Sequence, residues 1–353
     1  MHVDDILIAA KQPAKYMNAI EQQFMIRNKT DLPDYYLGNN LKLRGGLPHI
    51  SNKKYVCEFL RKYQEKYGCL KKEPIPIRPK LHPEMDDSPL LDEAGIRHYQ
   101  HIIGICQWLV TSGRMDINYA TSSLSRFAAA PREGHLTLAR KILGYLKKYP
   151  NKGYVVNPKN PQISPQYEEV DFKEDFGNQY CYFEEEIDPR FPEPLMKELP
   201  ISIFCDADHG HDKTTGRSIT GIIGFVGSTP IIWSSKRQAS VQTSTYGAEF
   251  TALKKGVEDA INLQYYLRSM GVKVVDPLYI YVDNLGVILN STNPGSTLNK
   301  KMVALAYHFV REHIANDVGS VRKIASEDNY ADAFTKGLSS NAFHDFFYQL
   351  MCN

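Results

Sequence analysis

The sequence predicts an α/β domain over residues 200–338, preceded by a mainly helical segment. Three observations predict it. Apolar runs of strand length, ISIFCDAD, TGIIGFVG and TPIIWSSK, follow one another from Pro200, with Gly227-Ser228 as a turn signal between the last two. A long helical pattern, Thr245–Met270, closes at Gly271. The strand PLYIYVDN, a helix Leu298–Asn316, the strand VGSVRKIA and a short helix Asn329–Leu338 then complete the order βββαβαβα.

The first half reads differently. HVDDILIAA reads as half of a β-hairpin, with two adjacent acids at its head, and a helical stretch follows over residues 15–25. Tyr35–Leu43 reads as a strand ended by Gly45-Gly46. Between Asn52 and Tyr67 the aromatics Tyr55, Phe59, Tyr63 and Tyr67 recur at helical spacing, as core or as a base-stacking surface. Glu73–Pro89 carries five prolines and reads as extended connector. Helical patterns cover 99–111, 116–127 and 133–148, the last with Arg140, Lys141, Lys147 and Lys148 on its polar side. Residues 167–198 show no sustained period and read as a linker, or as an arm packing its Tyr and Phe onto a neighbour. The expected segments are 1–50, 51–160, the linker 161–199, 200–338, and a tail 339–353.

Composition narrows the class. The chain of 353 residues is 42% hydrophobic and 23% charged, an ordinary globular balance. No apolar run approaches the ~20 residues that cross a bilayer, so no membrane span is expected. The first residues carry acids where a secretion signal carries bases, and six irregularly spaced cysteines form no CxxC pair. An intracellular protein with reduced thiols, cytoplasmic or nuclear, is the expectation. The net charge of +2 hides a pattern: residues 1–166 hold 25 Lys+Arg against 15 Asp+Glu, 167–198 hold 3 against 11, and 199–353 hold 14 of each. A basic first half is the footprint of a phosphate-backbone binder.

Four acids occupy telling places. Asp206 and Asp283 close strands, Glu249 lies in the first turns of the long helix, and Asp332 opens the last helix. Carboxylates converging on one point repel unless cations neutralise them. Two Mg²⁺ ions would do so, gripping the attacking water and the leaving oxygen of a phosphodiester.

CDADHG, TGRSITG, WSSKRQ, STYGAEF, YVDN, AYHFVRE and YADAFTK stand in an order and spacing that resemble the ribonuclease H domain of copia-type retrotransposon polyproteins. The resemblance implies a five-stranded mixed sheet with helices on both faces. It implies Asp206, Glu249, Asp283 and Asp332 as the catalytic, metal-binding carboxylates for two Mg²⁺, with Mn²⁺ as a substitute. HVDDILIA resembles the catalytic hairpin of a reverse-transcriptase palm, with Asp4 and Asp5 as its acids. SPLLDEAG and the helical run from YQHIIGICQWLV to ARKILGYLK resemble the thumb and connection that follow a palm. Residues 1–50 are thus expected to be a truncated palm remnant, with Asp4 and Asp5 vestigial and no polymerase activity, and 51–160 the thumb and connection. Departures from the family pattern are His2, Met302, Ala304 and Gly337.

The expected function is Mg²⁺-dependent hydrolysis of the RNA strand of an RNA–DNA hybrid. Arg140, Lys141, Lys147 and Lys148 would hold the duplex, and the remainder of a retroelement polyprotein is a possible partner. The alternative is a catalytically inert remnant that at most binds nucleic acid. A strand-transferring integrase is disfavoured by a helix-borne Glu between the strand acids and by the lack of a zinc-binding module.

Overall fold

The computed structural model describes residues 6–159, 176, 179–181, 187–194, 198–298 and 301–352. Asp4, Asp5 and most of the segment 161–199 lie outside the described residues. Residues 6–9, expected in a hairpin, carry no strand. Helix α1 (Pro13–Glu21) opens on a proline, whose missing N–H has no partner to lose in a first turn.

The single strand expected at 35–43 is two, β1 (Tyr35–Tyr36) and β2 (Asn39–Arg44), separated at Leu37 and Gly38, both with positive φ. Gly45 and Gly46, also at positive φ, supply the two-residue turn into β3 (Leu47–Ser51), where only glycine adopts both conformations without cost. β3 pairs in turn with β4 (Gly153–Val155), a hundred residues on, closing a small antiparallel sheet in the order β1-β2-β3-β4.

Four helices follow the expected pattern: α2 (Lys53–Tyr67), α3 (Glu93–Thr111), α4 (Asn118–Ser125) and α5 (Glu133–Lys148). α3 starts earlier than its apolar period suggests because the Asp92 carboxylate accepts from the Gly95 N–H at 2.7 Å and caps it.

The second sheet contains β5 (Leu199–Asp208), β6 (Ile219–Val226), β7 (Thr229–Arg237), β8 (Val274–Val282) and β9 (Gly319–Lys323) in the order β7-β6-β5-β8-β9. β7, β6 and β5 run antiparallel, and β5, β8 and β9 parallel, a mixed five-stranded sheet as expected. α6 (Thr245–Ser269) is capped by the Ser244 side chain and crosses β5 at Gly256, where a methyl would collide with the Cys205 thiol. The helix expected at 298–316 is α8 (Ala304–Ala315), and an unforeseen α7 (Leu285–Thr292) precedes it, capped by Asn284. The short helix expected at 329–338 is only a 3₁₀ turn, Asp332–Phe334, while the expected tail forms α9 (Ser340–Leu350). No described helix is long and apolar enough to cross a membrane.

Alternation along β5 divides two cores. Ile201, Ile203 and Cys205 pack with α6 and α8 on one face. Phe204, with Ile223 and Phe225 of β6, faces the other way and joins Phe334, Phe343 and Phe347 to Ile102, Leu109 and Tyr145 of the helical half in one continuous cluster. The segments 51–160 and 200–338 therefore share a core. Polar contacts seal the seam: Trp233 Nε1 donates to the Val110 carbonyl at 2.9 Å, and Ser122 Oγ to the Ser235 carbonyl at 2.5 Å. Of the acidic segment, Phe176 is buried in the α6 core and Tyr180 receives the Arg311 guanidinium on its hydroxyl, behaviour of an arm packed on a neighbour.

At the same seam Asp212 accepts from Arg126 of the helical half and from Arg237 of β7, each at 2.6 Å. Burial opposes its charge, but the guanidiniums and the Thr215 N–H hold its pKa down to about 2. Its folded pKa lies below the unfolded 3.8, so its stabilisation is present above that value and is lost as pH falls toward about 2. Asp212→Ala leaves two guanidiniums facing each other and is expected to cost about 3 kcal/mol in denaturant unfolding at neutral pH. A midpoint equal to wild type would show that the seam does not depend on it.

Candidate active site

The carboxyl ends of β5 and β8 lie side by side because the two strands pair in parallel, with Phe204 opposite Tyr281. Two residues further on, Asp206 is level with Asp283, which directly follows β8. Glu249 reaches the same point from the second turn of α6. One carboxylate oxygen from each of Asp206, Glu249 and Asp283 lies within 4.8 Å of the others. Asp206 and Glu249 are buried, 7% and 6% exposed.

Such a group is electrostatically unfavourable as three anions. Burial, then the charges of Asp206 and Asp283, push the Glu249 pKa up to about 9. Burial pushes Asp206 up to about 6, with Asp332 and Asp283 adding to it and the Thr335 hydroxyl, which donates to Asp206 Oδ2 at 2.7 Å, opposing it. Glu249 Oε2 is buried without a hydrogen-bond partner, an acceptor with nothing to accept. Oxygen-only donors and an unpartnered buried carboxylate oxygen fit a hard divalent cation such as Mg²⁺ or Mn²⁺.

Asp332 is not in the group of three. It opens the 3₁₀ turn beside the site, and Lys336 Nζ grips its Oδ1 at 2.5 Å. Burial raises its pKa against that lysine. The turn is tethered to β5 by Asn329, whose amide donates to the Cys205 carbonyl at 2.9 Å. Lys336 and Thr335 stand in the YADAFTK motif and carry a legible signal only in the i,i+4 spacing of Lys336 from Asp332.

Sequence reasoning assigned no role to Asp208. It ends β5 on the same face as Asp206, and its Oδ2 lies 2.6 Å from His211 Nδ1. His211 Nε2 in turn lies 3.0 Å from the Tyr119 hydroxyl of α4, ninety-two positions away in sequence and invisible to it.

The four basic residues of α5 do not form one free face. Arg140 and Lys147, seven apart, share a stripe that looks onto α2: Lys147 Nζ donates to Gln64 Oε1 at 2.6 Å and to the Leu70 carbonyl at 2.9 Å, and Arg140 reaches the Tyr63 hydroxyl at 3.4 Å. Helix–helix packing takes these two ammonium and guanidinium groups into the seam, correcting their placement on a solvated side. Lys141 is half-buried and Lys148 exposed, its ammonium 5.2 Å from the Tyr149 ring. Of the aromatic row, Tyr63 is buried, while Tyr55, Phe59 and Tyr67 line a groove with His98 and His101 of α3. His98 stacks on Tyr67 at 3.8 Å. All six cysteines are free thiols.

Over 349 residues, 98% of its length, the chain is 28% identical to a retrovirus-related Pol polyprotein from transposon RE1 of Arabidopsis thaliana. It is 23% identical over 97% of its length to the corresponding polyprotein from transposon TNT 1-94 of Nicotiana tabacum. The chain spans about a fifth of the length of these curated relatives. Among solved structures, the N-terminal RNase H domain of a Mycobacterium tuberculosis protein matches 43% of this chain and 98% of its own, at 14% identity and a TM-score of 0.31. No family model matches. The homologues are thus copia-type transposon polyproteins, as the motifs suggested.

The carboxylate group makes a pH prediction. With divalent cations chelated, the folded pKa values of Asp206 and Glu249 stand above their unfolded values of 3.8 and 4.5. Their contribution is complete below those values and is lost as pH rises through about 6 and then about 9. The chelated protein should lose thermal stability over that window, and Glu249→Gln, which does not ionise, should flatten the loss. Equal slopes in the two proteins would contradict the mutual repulsion.

Proposed function

We propose that the chain is a Mg²⁺-dependent endonuclease of the ribonuclease H type, hydrolysing the RNA strand of RNA–DNA hybrids. The observation that carries this reading is the convergence of Asp283 with the buried Asp206 and Glu249, one Glu249 oxygen being unpartnered. Similarity to Pol polyproteins over nearly the whole chain supports it.

Asp206, Glu249 and Asp283 would hold two Mg²⁺ ions together with Asp332, taken as the fourth carboxylate. Bound there, the ions supply a water of lowered pKa and neutralise the charge developing on the departing 3′-oxygen. Thr335 fixes one oxygen of Asp206 by its hydroxyl and so aims the other. Lys336 steadies Asp332 at the rim and offers a cation to a neighbouring phosphate. Selectivity for the RNA strand would rest on contacts to 2′-hydroxyls and on the groove shape of a hybrid. The remainder of a retroelement polyprotein is a proposed partner, and the proposed place of action is intracellular.

The deciding experiment follows cleavage of a strand-labelled RNA–DNA hybrid, with RNA and DNA duplexes beside it. The hybrid's RNA strand should be cut in Mg²⁺, the duplexes left intact, and EDTA should stop the reaction. Glu249→Gln should abolish cleavage while hybrid binding persists. A Glu249→Gln protein that cuts at the wild-type rate would remove the carboxylates from the mechanism. A wild-type chain that binds Mg²⁺ and hybrid but cuts nothing would select the inert, nucleic-acid-binding alternative.

A further inference from the structure

The proline-rich segment 73–89 is more than a connector between α2 and α3. The segment is not the uniformly extended connector expected: it bends over 74–77, turns at Lys80 with φ +54° and closes a 3₁₀ turn at Pro83–Met85, while prolines at 74, 76, 79, 83 and 89 fix φ and keep it stiff. It is pinned along its length. The Glu73 N–H donates to the Gly144 carbonyl, Ile77 is buried, and the Pro83 carbonyl lies 2.8 Å from His135 Nε2. Glu84 accepts from the Lys213 N–H at 2.9 Å and stands 3.6 Å from Arg126.

Two of the pins bracket the carboxylate site. The Arg78 carbonyl abuts Gly337 so closely that a Cβ there would come within 2.7 Å of it. Gly337 adjoins Lys336, the partner of Asp332. Four residues on, the His82 ring lies 5.5 Å from the ring of His211, the partner of Asp208. The segment therefore passes from the Asp332 side of the site to the Asp208 side. Lys80, two residues from either pin, is within roughly 7 Å of chain from both.

Arg78 and Lys80 are exposed, and among the described residues neither has a hydrogen-bond or ion-pair partner. A site built of carboxylates attracts metal ions but repels the polyanion that must approach it. Cations fixed at its mouth reverse that repulsion for the phosphates on either side.

We propose that this strap is a phosphate-contacting rail, with Arg78 and Lys80 seating the nucleic-acid backbone over the carboxylate group. The proposal rests on the nuclease reading for its ligand, a duplex that includes an RNA strand. Its chemistry is that of point contacts to phosphate, which carry affinity and salt dependence without reading sequence. Lys80 has φ +54°, a left-handed conformation that glycine adopts freely, so Lys80→Gly removes the cation while easing the backbone.

The test uses the full chain carrying Glu249→Gln, so that a labelled hybrid stays intact, and measures binding by fluorescence anisotropy across a salt series. Adding Arg78→Gln and Lys80→Gly should make the slope of log affinity against log salt shallower by about 1.8, at ~0.9 per phosphate contact. Between 50 and 200 mM salt the variant should then lose about twelvefold less affinity than its parent. With Glu249 restored, Mg²⁺ affinity by calorimetry should be the same for the Arg78→Gln, Lys80→Gly variant and the unsubstituted chain, since neither residue belongs to the carboxylate group. An unchanged slope overturns the rail. So does an equal drop for the pair Arg61→Gln and Arg97→Gln, exposed cations of α2 and α3, because the effect would then be one of net charge alone. Absence of cleavage by the unsubstituted chain overturns the nuclease reading instead, and the slope still reports on the strap.

Discussion

The five-stranded sheet is apolar on both faces, and covering the second face is the constraint from which the rest follows. β5, in its middle, turns Ile201, Ile203 and Cys205 toward α6 and α8, which follow within the same stretch of chain. Its other face presents Phe204 beside Phe225 and Tyr281, stacked or edge-on within 4.8–5.7 Å. The 3₁₀ turn and α9 cover part of that surface, and residues of the helical first half extend the cluster without a break. Leaving such a surface open would forfeit the burial of several large aromatics, each among the costliest side chains to expose. The helical half is thereby fixed on the sheet rather than tethered to it.

That docking determines what surrounds the carboxylates. Asp206 and Asp208 lie on the Phe204 face, the one the helical half approaches, so Tyr119, Arg126 and the proline strap all arrive at the margin of the site. The site itself works against folding, since its acids are held where burial and mutual repulsion favour their neutral forms. Local interactions offset part of this: the Thr335 hydroxyl on Asp206, Lys336 on Asp332, and the Asp212 pairing that secures the loop beyond Asp208. Strongly perturbed acids gathered in this way are a common mark of functional sites.

How much of this the sequence revealed depended on the range of the interactions involved. β5, β6 and β7 were legible as apolar runs, and α6 and α5 as long periodic patterns, because each writes its environment into consecutive residues. β3 and β4 were not: β3 contains Pro48 and takes its strand form by pairing with β2 across the Gly45-Gly46 turn, while β4 is three residues long and becomes a strand only by finding β3 a hundred residues away. α7 is eight residues long, too short to show a clear period, and packing rather than propensity makes it helical. α9 does carry the period, with Phe343, Phe346, Phe347 and Leu350 at helical spacing, but it lies in the segment read as a tail beyond the last motif. At the site, strand-end acids and a helix-borne glutamate could be picked out by position. Whether they meet depended on the parallel pairing of β5 with β8. Arg140 and Lys147 looked solvated because the pattern of one helix does not say which neighbour it will meet.

The same consideration of range supports the proposal that cations on the strap, beside those expected on α5, face nucleic acid. A cation on a packed helix is drawn into the nearest carbonyl or amide, as Lys147 is by Gln64 and Leu70, and then has little left for a phosphate. A proline-stiffened, non-helical stretch such as 74–82 has no helical neighbour one turn away to satisfy its side chains, and its prolines remove backbone donors that would otherwise fold it back. Pinned at Gly337 and at His211, it keeps Arg78 and Lys80 outward at low conformational cost, because little backbone freedom remains to be lost when a phosphate arrives. On that proposal, two cations of the basic first half stand where the chain is stiff, exposed and close to the acids they counterbalance.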